Sequence, residues 1–398
     1  MREPLRLGII GLGRAFTIML PTLSKHPLIQ LVAACDPRAD ARERFVADFQ
    51  AAAYQTAEEL CADPSVQAVY VATPHQFHVE HVTLAARFGK HVLVEKPMAL
   101  TVADCHLMIE AAKRSGIHLL VGHSHSYDLP YLRTREMIRS GAYGRVRMVS
   151  ALNFTDFLYR PRRPEELDTN AGGGVVFSQA AHQVDVVRLL IGSRAMTVQA
   201  FTGRWDPVRP TEAAYNAQIA FEDGAFASLI YSGYGRFDTD EFMGWVGELG
   251  HQRDADAYGS SRALLRTVRT AEEEERLKFQ RAYGPAGKEA FQSGGLSHNH
   301  FGVIIVSCEL ADLRPLPRGV LIYGDNDRRM EKLPPPDIPR SEVVDELYAS
   351  AVLGQRPLHS GEWGLATLEI CLAIQESSAM AQRIVLQHQI VGHALGSS

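Results

Sequence analysis

Residues 5–13 read Leu5-Arg6-Leu7-Gly8-Ile9-Ile10-Gly11-Leu12-Gly13, and a helix-length segment starts at Arg14. A short, nearly continuous apolar run suits a strand buried on both faces. Gly8, Gly11 and Gly13 sit where that strand would turn into the first helix. Glycines there permit a tight turn and let backbone N–H groups of the Leu12-Gly13-Arg14-Ala15 stretch approach a pyrophosphate at a helix N-terminus. The third glycine of the usual dinucleotide fingerprint is absent, because position 16 is Phe16. That affects helix–strand packing more than phosphate contact. A second apolar run, Ile29–Cys35, ends at Asp36, 23 residues after Gly13. A carboxylate there accepts both hydroxyls of an adenosine ribose and repels a 2′-phosphate, which favours NAD over NADP. Arg38 is the counterweight, since a guanidinium could hold that phosphate. The plainer reading of the glycines, a turn that binds nothing, loses ground to this context.

Working outward, Val66–Ala72, His91–Glu95 and His118–Gly122 repeat the apolar pattern. Amphipathic segments Arg38–Phe49 and Thr101–Ser115 lie between such runs, with Thr101 placed as an N-cap. Alternating strands and helices predict a doubly wound parallel sheet, a Rossmann domain over residues 1–125. Ligands of such sheets bind outside the carboxyl ends of the strands. One end carries Ala72-Thr73-Pro74-His75, with His78 just beyond; another carries Glu95-Lys96-Pro97. Lys96 could bond the nicotinamide ribose and a substrate hydroxyl together, although a solvated strand end would also accommodate Glu95 and Lys96. After Tyr127 the pattern changes to an α+β domain, residues 126–398, built on a mostly antiparallel open sheet. Glu222-Asp223-Gly224 marks a hairpin within it. Residues 250–295 are charged and Gly-rich and read as a surface insertion.

A chain of 398 residues suits two domains, and 41 Lys and Arg against 46 Asp and Glu leave a net charge of −5. No basic surface for nucleic acid is implied. No apolar run of about 18 residues and no signal-peptide layout are present, so no membrane association is expected. The five cysteines are scattered, with no Cys-x-x-Cys pair, and read as reduced thiols of a cytoplasmic protein. His75, His78 and His81, and His123 with His125, invite a metal reading. They lack an accompanying cysteine or carboxylate set, so no metal is expected. An open sheet leaves one face to cover, which suggests a homo-oligomer, a dimer or tetramer.

GIIGLG, ACD, VATPHQFH, VEKP and GGGVVFSQAAHQVD together resemble the Gfo/Idh/MocA oxidoreductases, relatives of glucose-fructose oxidoreductase and inositol dehydrogenase. Within that family, GLGRAF, ATPHQFH, GHSHSYD and NFTDFLYRPRRPEELDT look like the phthalate 4,5-cis-dihydrodiol dehydrogenases. The resemblance implies NAD-dependent oxidation of a secondary alcohol. It makes Lys96 the catalytic lysine, with Pro97 after a cis bond, and it places His182 at the substrate with Asp185 three residues on. Many members carry Asp four residues before that histidine; here the position is Ser178. One of Lys96 and His182 would take the hydroxyl proton and the other orient the hydroxyl. A phthalate diol has two carboxylates, which Arg160, Arg162 and Arg163 could hold bidentately. Tyr159 and Phe157 could flank its ring, and His123 and His125 contact it. A sugar or cyclitol dehydrogenase, and a non-catalytic NAD-binding sensor or scaffold, are the competing readings.

Overall fold

The computed structural model describes residues 3–122, 124–257, 259–284 and 297–392. Its first layer is a six-stranded sheet of β1 (Leu5–Ile10), β2 (Ile29–Cys35), β3 (Ala52–Tyr54), β4 (Ala68–Val71), β5 (His91–Val94) and β6 (Leu119–Val121), in the order β3-β2-β1-β4-β5-β6. Every pairing is parallel. Helices α1 (Arg14–Leu23), α2 (Ala39–Phe49), α3 (Ala57–Ala62), α4 (His78–Arg87) and α5 (Val102–Ser115) cover its faces. Thr101 caps α5 as expected, accepting the Asp104 N–H. The edge strand β3, Ala52-Ala53-Tyr54, is only three residues long, too short for its pattern to announce it.

Beyond it, α6 (Leu129–Arg139) leads to β7 (Val146–Phe154). A turn of π-helix at Val176–Ala180 runs into α7 (Ala181–Ile191). Strands β8 (Ala195–Gly203), β9 (Ala214–Phe221) and β10 (Phe226–Ser232) follow, the last two joined by the expected hairpin. After short helices α8 (Ser260–Leu265) and α9 (Ala271–Phe279) come β11 (Val303–Cys308), β12 (Asp312–Leu316), β13 (Gly319–Tyr323) and β14 (Arg328–Lys332). Two helices, α10 (Ser341–Ala351) and α11 (Gly361–Met380), precede a final short strand β15 (Ile384–Val385). The nine strands are ordered β14-β13-β12-β11-β7-β10-β9-β8-β15, antiparallel except for the β7–β10 pair. Val184, Val187 and Ile191 of α7 and Ile370 and Ile374 of α11 pack on one face with Val198, Ile219 and Leu229 of the strands. The other face exposes Phe201, Phe226 and Ile305.

The two layers share their helices. Val343, Val344 and Leu347 of α10 join the core around β1 and α1, and Leu365 and Leu368 of α11 join the core around β5 and α5. No helix among the described residues is long and apolar enough to cross a membrane.

Residues 250–295 were expected to be a surface insertion, and most of their described part is exposed or half-buried, but its end at Tyr283 is tucked into the core of the first layer. Tyr283 is fully buried against Phe16, ring centroids 5.2 Å apart and edge-on, and its N–H donates to Leu12 O at 3.2 Å. This explains the missing third glycine. Phe16 fills a slot between Phe45 of α2 and a residue that the insertion brings from the far end of the chain.

Candidate active site

The strand–turn–helix at Gly8–Ala15 has the form a pyrophosphate needs. Gly11 has φ +95°, and a Cβ there would lie 2.9 Å from Thr73 Cγ2 and 3.1 Å from Ala72 O. A Cβ at Gly13 would come no nearer than 3.9 Å to its neighbours, leaving room for a ligand. Gly8 serves packing instead: its Cβ would meet Leu60 Cδ2 at 2.9 Å. Asp36 Oδ2 accepts the Leu12 N–H at 2.8 Å, which ties the ribose carboxylate to the glycine loop. Arg38 is held by Asp36 Oδ1 (3.0 Å from Nε) and by Leu12 O (2.8 Å from Nη2). A guanidinium so engaged is not poised for a 2′-phosphate, and the residues present fit NAD.

Ala72, Thr73 and Pro74 end the fourth strand, and His75 projects into a cavity of about 530 Å³ between the two layers. A pocket of this size suits a small ligand with its reacting group. Lys96, Glu95, Arg14 and Ala15 line the same cavity from the first layer. His125, Arg160, Arg162, Ser178 and His182 line it from the second. The Lys96–Pro97 bond is cis, as the resemblance implied. Lys96 is half-buried, and its Nζ donates to Ser178 O at 2.9 Å. Burial lowers its pKa, against the opposing pull of Glu95 and Glu248. The Ser178 hydroxyl points away, donating to Gly174 O, so this position meets Lys96 through its backbone. Glu95 accepts from the Tyr70 hydroxyl beneath the cavity floor.

His182 stands in the first turn of α7. Its ring packs against His125 (centroids 4.8 Å apart) and Phe301 (5.1 Å). His125 Nδ1 lies 2.6 Å from Asp128 Oδ2, and its Nε2 is 3.4 Å from Glu248 Oε1. Burial alone would lower the His125 pKa, but the two carboxylates raise it to about 9. Opposite, Arg160 pairs with Asp156 at 3.2 Å. Arg162 stacks over Phe157, its Cζ 3.6 Å from the ring centroid, and donates to Phe157 O at 2.7 Å.

Four expected residues lie elsewhere. His78 is fully buried, its nitrogens 3.0–3.2 Å from Thr73 O, Pro97 O and Met98 O; it pins two strand ends together and does not face the cofactor crevice. Asp185 is spent on Ser126 Oγ, Trp363 Nε1 and Thr367 Oγ1, away from the substrate cavity. Arg163 is not part of the cavity lining; it pairs with Glu165 and with Glu166, which is part of it. The Tyr159 ring carries the Arg262 guanidinium at 4.0 Å and braces the loop from behind. His123 lies outside the described residues.

Sequence reasoning missed Glu248, Asp240, Lys278, Arg281 and His300, all of which line the cavity. They sit in or beside the insertion: Lys278 is on the short, polar α9, and the others are in turns and irregular segments with no periodicity to flag them. Glu274 of α9 accepts from the Arg162 N–H at 2.7 Å and from Arg209, and Lys278 pairs with Glu166 at 2.7 Å. The insertion therefore runs from the arginine loop to the glycine loop.

A dinucleotide loop, a half-buried lysine at a strand end and a histidine from a second domain facing one cavity define a nicotinamide-dependent dehydrogenase of two domains. The family model described as an oxidoreductase family with an NAD-binding Rossmann fold matches residues 5–123, and that of the GFO/IDH/MocA C-terminal domain matches residues 131–251. The chain belongs to the Gfo/Idh/MocA oxidoreductases, and its cofactor is NAD. It is 46% identical over 379 residues, 94% of each chain, to 1-carboxy-3-chloro-3,4-dihydroxycyclohexa-1,5-diene dehydrogenase of Comamonas testosteroni. A solved structure of a dehydrogenase from Bordetella bronchiseptica RB50 superposes with TM-score 0.90 at 42% identity, covering 96% of this chain and all of that one. The WlbA dehydrogenase of Bordetella pertussis, solved with NADH and UDP-GlcNAcA, shares the fold at 20% identity and TM-score 0.67, covering 97% of this chain and 99% of that one.

Proposed function

We propose that this enzyme oxidises a carboxylated cis-dihydrodiol to the corresponding catechol, with phthalate cis-4,5-dihydrodiol as its substrate. The observation that carries the reading is the cavity itself. Lys96 lines it from the first layer, and His182, Arg160 and Arg162 line it from the second. Bound NAD⁺ supplies the hydride acceptor. Lys96 takes the hydroxyl proton: burial favours its neutral amine, which keeps one N–H on Ser178 O and turns its lone pair to the diol. His182 orients the hydroxyl, and Arg160 and Arg162 hold carboxylate. Loss of one hydride and one proton leaves a hydroxydienone that tautomerises to the aromatic ring. The Comamonas relative, named for a carboxylated dihydroxycyclohexadiene, supports the class of substrate.

Purified protein with NAD⁺ is offered phthalate cis-4,5-dihydrodiol, a monocarboxylated cis-dihydrodiol, an uncharged cis-dihydrodiol and myo-inositol, and NADH formation is followed. The phthalate diol is expected to give the highest kcat/KM. Arg160→Gln is expected to raise KM for carboxylated diols roughly 10–150-fold, the loss of about 1.5–3 kcal/mol for a hydrogen bond to a charged group, and to spare the uncharged diol. Turnover of inositol alone would assign a cyclitol dehydrogenase. NAD binding without turnover would assign a sensor. We also read the apolar open face bearing Phe201, Phe226 and Ile305 as the seat of a homo-oligomer, which light scattering measures. The five unpaired cysteines fit a reducing compartment such as the cytoplasm.

A further inference from the structure

We infer that the cavity is also a binding site for one divalent transition-metal ion, held by His125, His182 and Glu248. One donor atom from each of the three can be chosen so that all lie within 4.8 Å of one another. Two imidazoles and a carboxylate form a donor set that suits zinc, cobalt or manganese, and three protein ligands leave further positions open. The donors come from three separate parts of the chain: the turn after β6, the first turn of α7, and the loop before the insertion. Each lines the substrate cavity, so the open positions face it.

The surroundings hold these donors in place. Asp128 sits behind His125, 2.6 Å from Nδ1, and so turns Nε2 toward Glu248 and the cavity. A carboxylate in that place is the usual support of a metal-binding histidine. Asp128 is itself braced, its Oδ1 accepting from Asn299 Nδ2 at 3.2 Å. Phe301 lies 5.1 Å from both imidazole centroids, and the two rings meet at 68°. Both histidines are almost wholly buried, so neither ring sweeps freely. The π-helical turn at Val176–Ala180 directly precedes α7 and so sets where His182 enters the cavity.

Charges face the site from both sides. Lys96 and Arg160 stand near Glu248 and oppose a cation, as does His300. Glu248 and Asp128 favour it, and Asp240 adds a further carboxylate beside Glu248. The ion's use rests on the dihydrodiol reading: two vicinal hydroxyls can chelate at its open positions, which would polarise the one that Lys96 deprotonates. Binding of the ion does not depend on that reading.

The test uses the full-length protein saturated with NAD⁺, stripped with chelator and dialysed. It is titrated with Co²⁺ by visible absorption and with Zn²⁺ by calorimetry, in the absence of diol. One ion per chain is expected, with cobalt bands of low coordination number. Affinity should fall at least about tenfold in Glu248→Gln and in His125→Gln, and roughly 10–100-fold in Asp128→Asn. Glu248 is at the cavity wall and 26% exposed, so its variant keeps the test valid if a buried histidine variant fails to fold. Absence of stoichiometric binding, or binding undiminished in Glu248→Gln, would overturn the site. One ion bound with no diol oxidised would leave the site standing and remove the substrate assignment.

Discussion

Replacing Asp36 by Ser separates two jobs that one carboxylate performs. Asp36 Oδ2 accepts the Leu12 N–H at 2.8 Å, and Oδ1 accepts from Arg38 N (2.9 Å) and Nε (3.0 Å). The first contact shapes the glycine loop; the second holds Arg38 across the place a 2′-phosphate would take. Serine keeps a short acceptor but loses the charge. The ribose hydroxyls then lose a charge-assisted partner worth about 1.5–3 kcal/mol, which raises the Kd for NAD roughly 10–150-fold. The same change removes the repulsion toward a 2′-phosphate and leaves Arg38 with Leu12 O as its remaining contact of these two. Affinity for NADP should therefore rise while that for NAD falls, and the ratio should move by more than either alone. Nucleotide titration by fluorescence gives both constants, and a thermal melt on the same sample reports the loop. A melt lowered by a loss of about 1 kcal/mol, with NAD affinity unchanged within threefold, would refute the ribose contact and leave Asp36 a purely structural brace.

Three further outcomes follow from the same geometry. Lys96→Met should lower kcat by about 10²–10⁴ with NAD affinity nearly unchanged, because a general base contributes on that scale. In the native enzyme kcat/KM should climb with pH as the lysine, lowered by burial, gives up its proton, and that limb should vanish in the variant. Asp185→Asn should cost about 1–3 kcal/mol of stability by upsetting its bonds to Ser126, Trp363 and Thr367, with KM for the diol unmoved; denaturant melts and steady-state kinetics separate the two. Burial pushes the Glu166 carboxyl up, but Lys278 and Arg162 outweigh it and hold the pKa at about 2. Its ionised form therefore stabilises the fold above the unfolded value of about 4.3, and that contribution is lost as pH falls toward 2. Glu166→Gln should flatten the acid slope of Tm over that window, and an unchanged slope would count against the pair.

What the sequence made legible were features whose cause is local. The glycine turn, Asp36 and the Glu95-Lys96-Pro97 strand end each follow a buried strand, and a parallel sheet delivers every strand end to the same crevice. His182 was legible beside its glycines for a similar reason, since the turn that opens α7 also aims its first residues at that crevice. What stayed hidden was decided by partners far along the chain. Asp185 has the spacing of a substrate ligand, yet its orientation is set by Trp363 and Thr367, 178 and 182 residues away. Arg163 differs from Arg160 and Arg162 by nothing visible in the sequence; Glu165 and Glu166 draw it aside. Glu248 falls in an irregular stretch where no period distinguishes a cavity-facing carboxylate from a solvated one.

Ser178 shows the limit most sharply. Read by its side chain, it is a missing carboxylate and an argument for a protein without turnover. In the fold its hydroxyl turns back to Gly174 O, and it is the peptide oxygen that receives the Lys96 ammonium. A backbone carbonyl is the same at every residue type, so this contact tolerates Ser as readily as Asp. What a carboxylate would add there is charge, which would favour protonated Lys96 and raise the pKa of the base. Serine leaves burial to act with less opposition, so under the proposed mechanism the departure from the family pattern favours the neutral amine that a base must be, rather than disabling Lys96. Ser178→Asp should accordingly move the rising limb of kcat/KM to higher pH, and a limb that stays in place would show that the lysine does not set it.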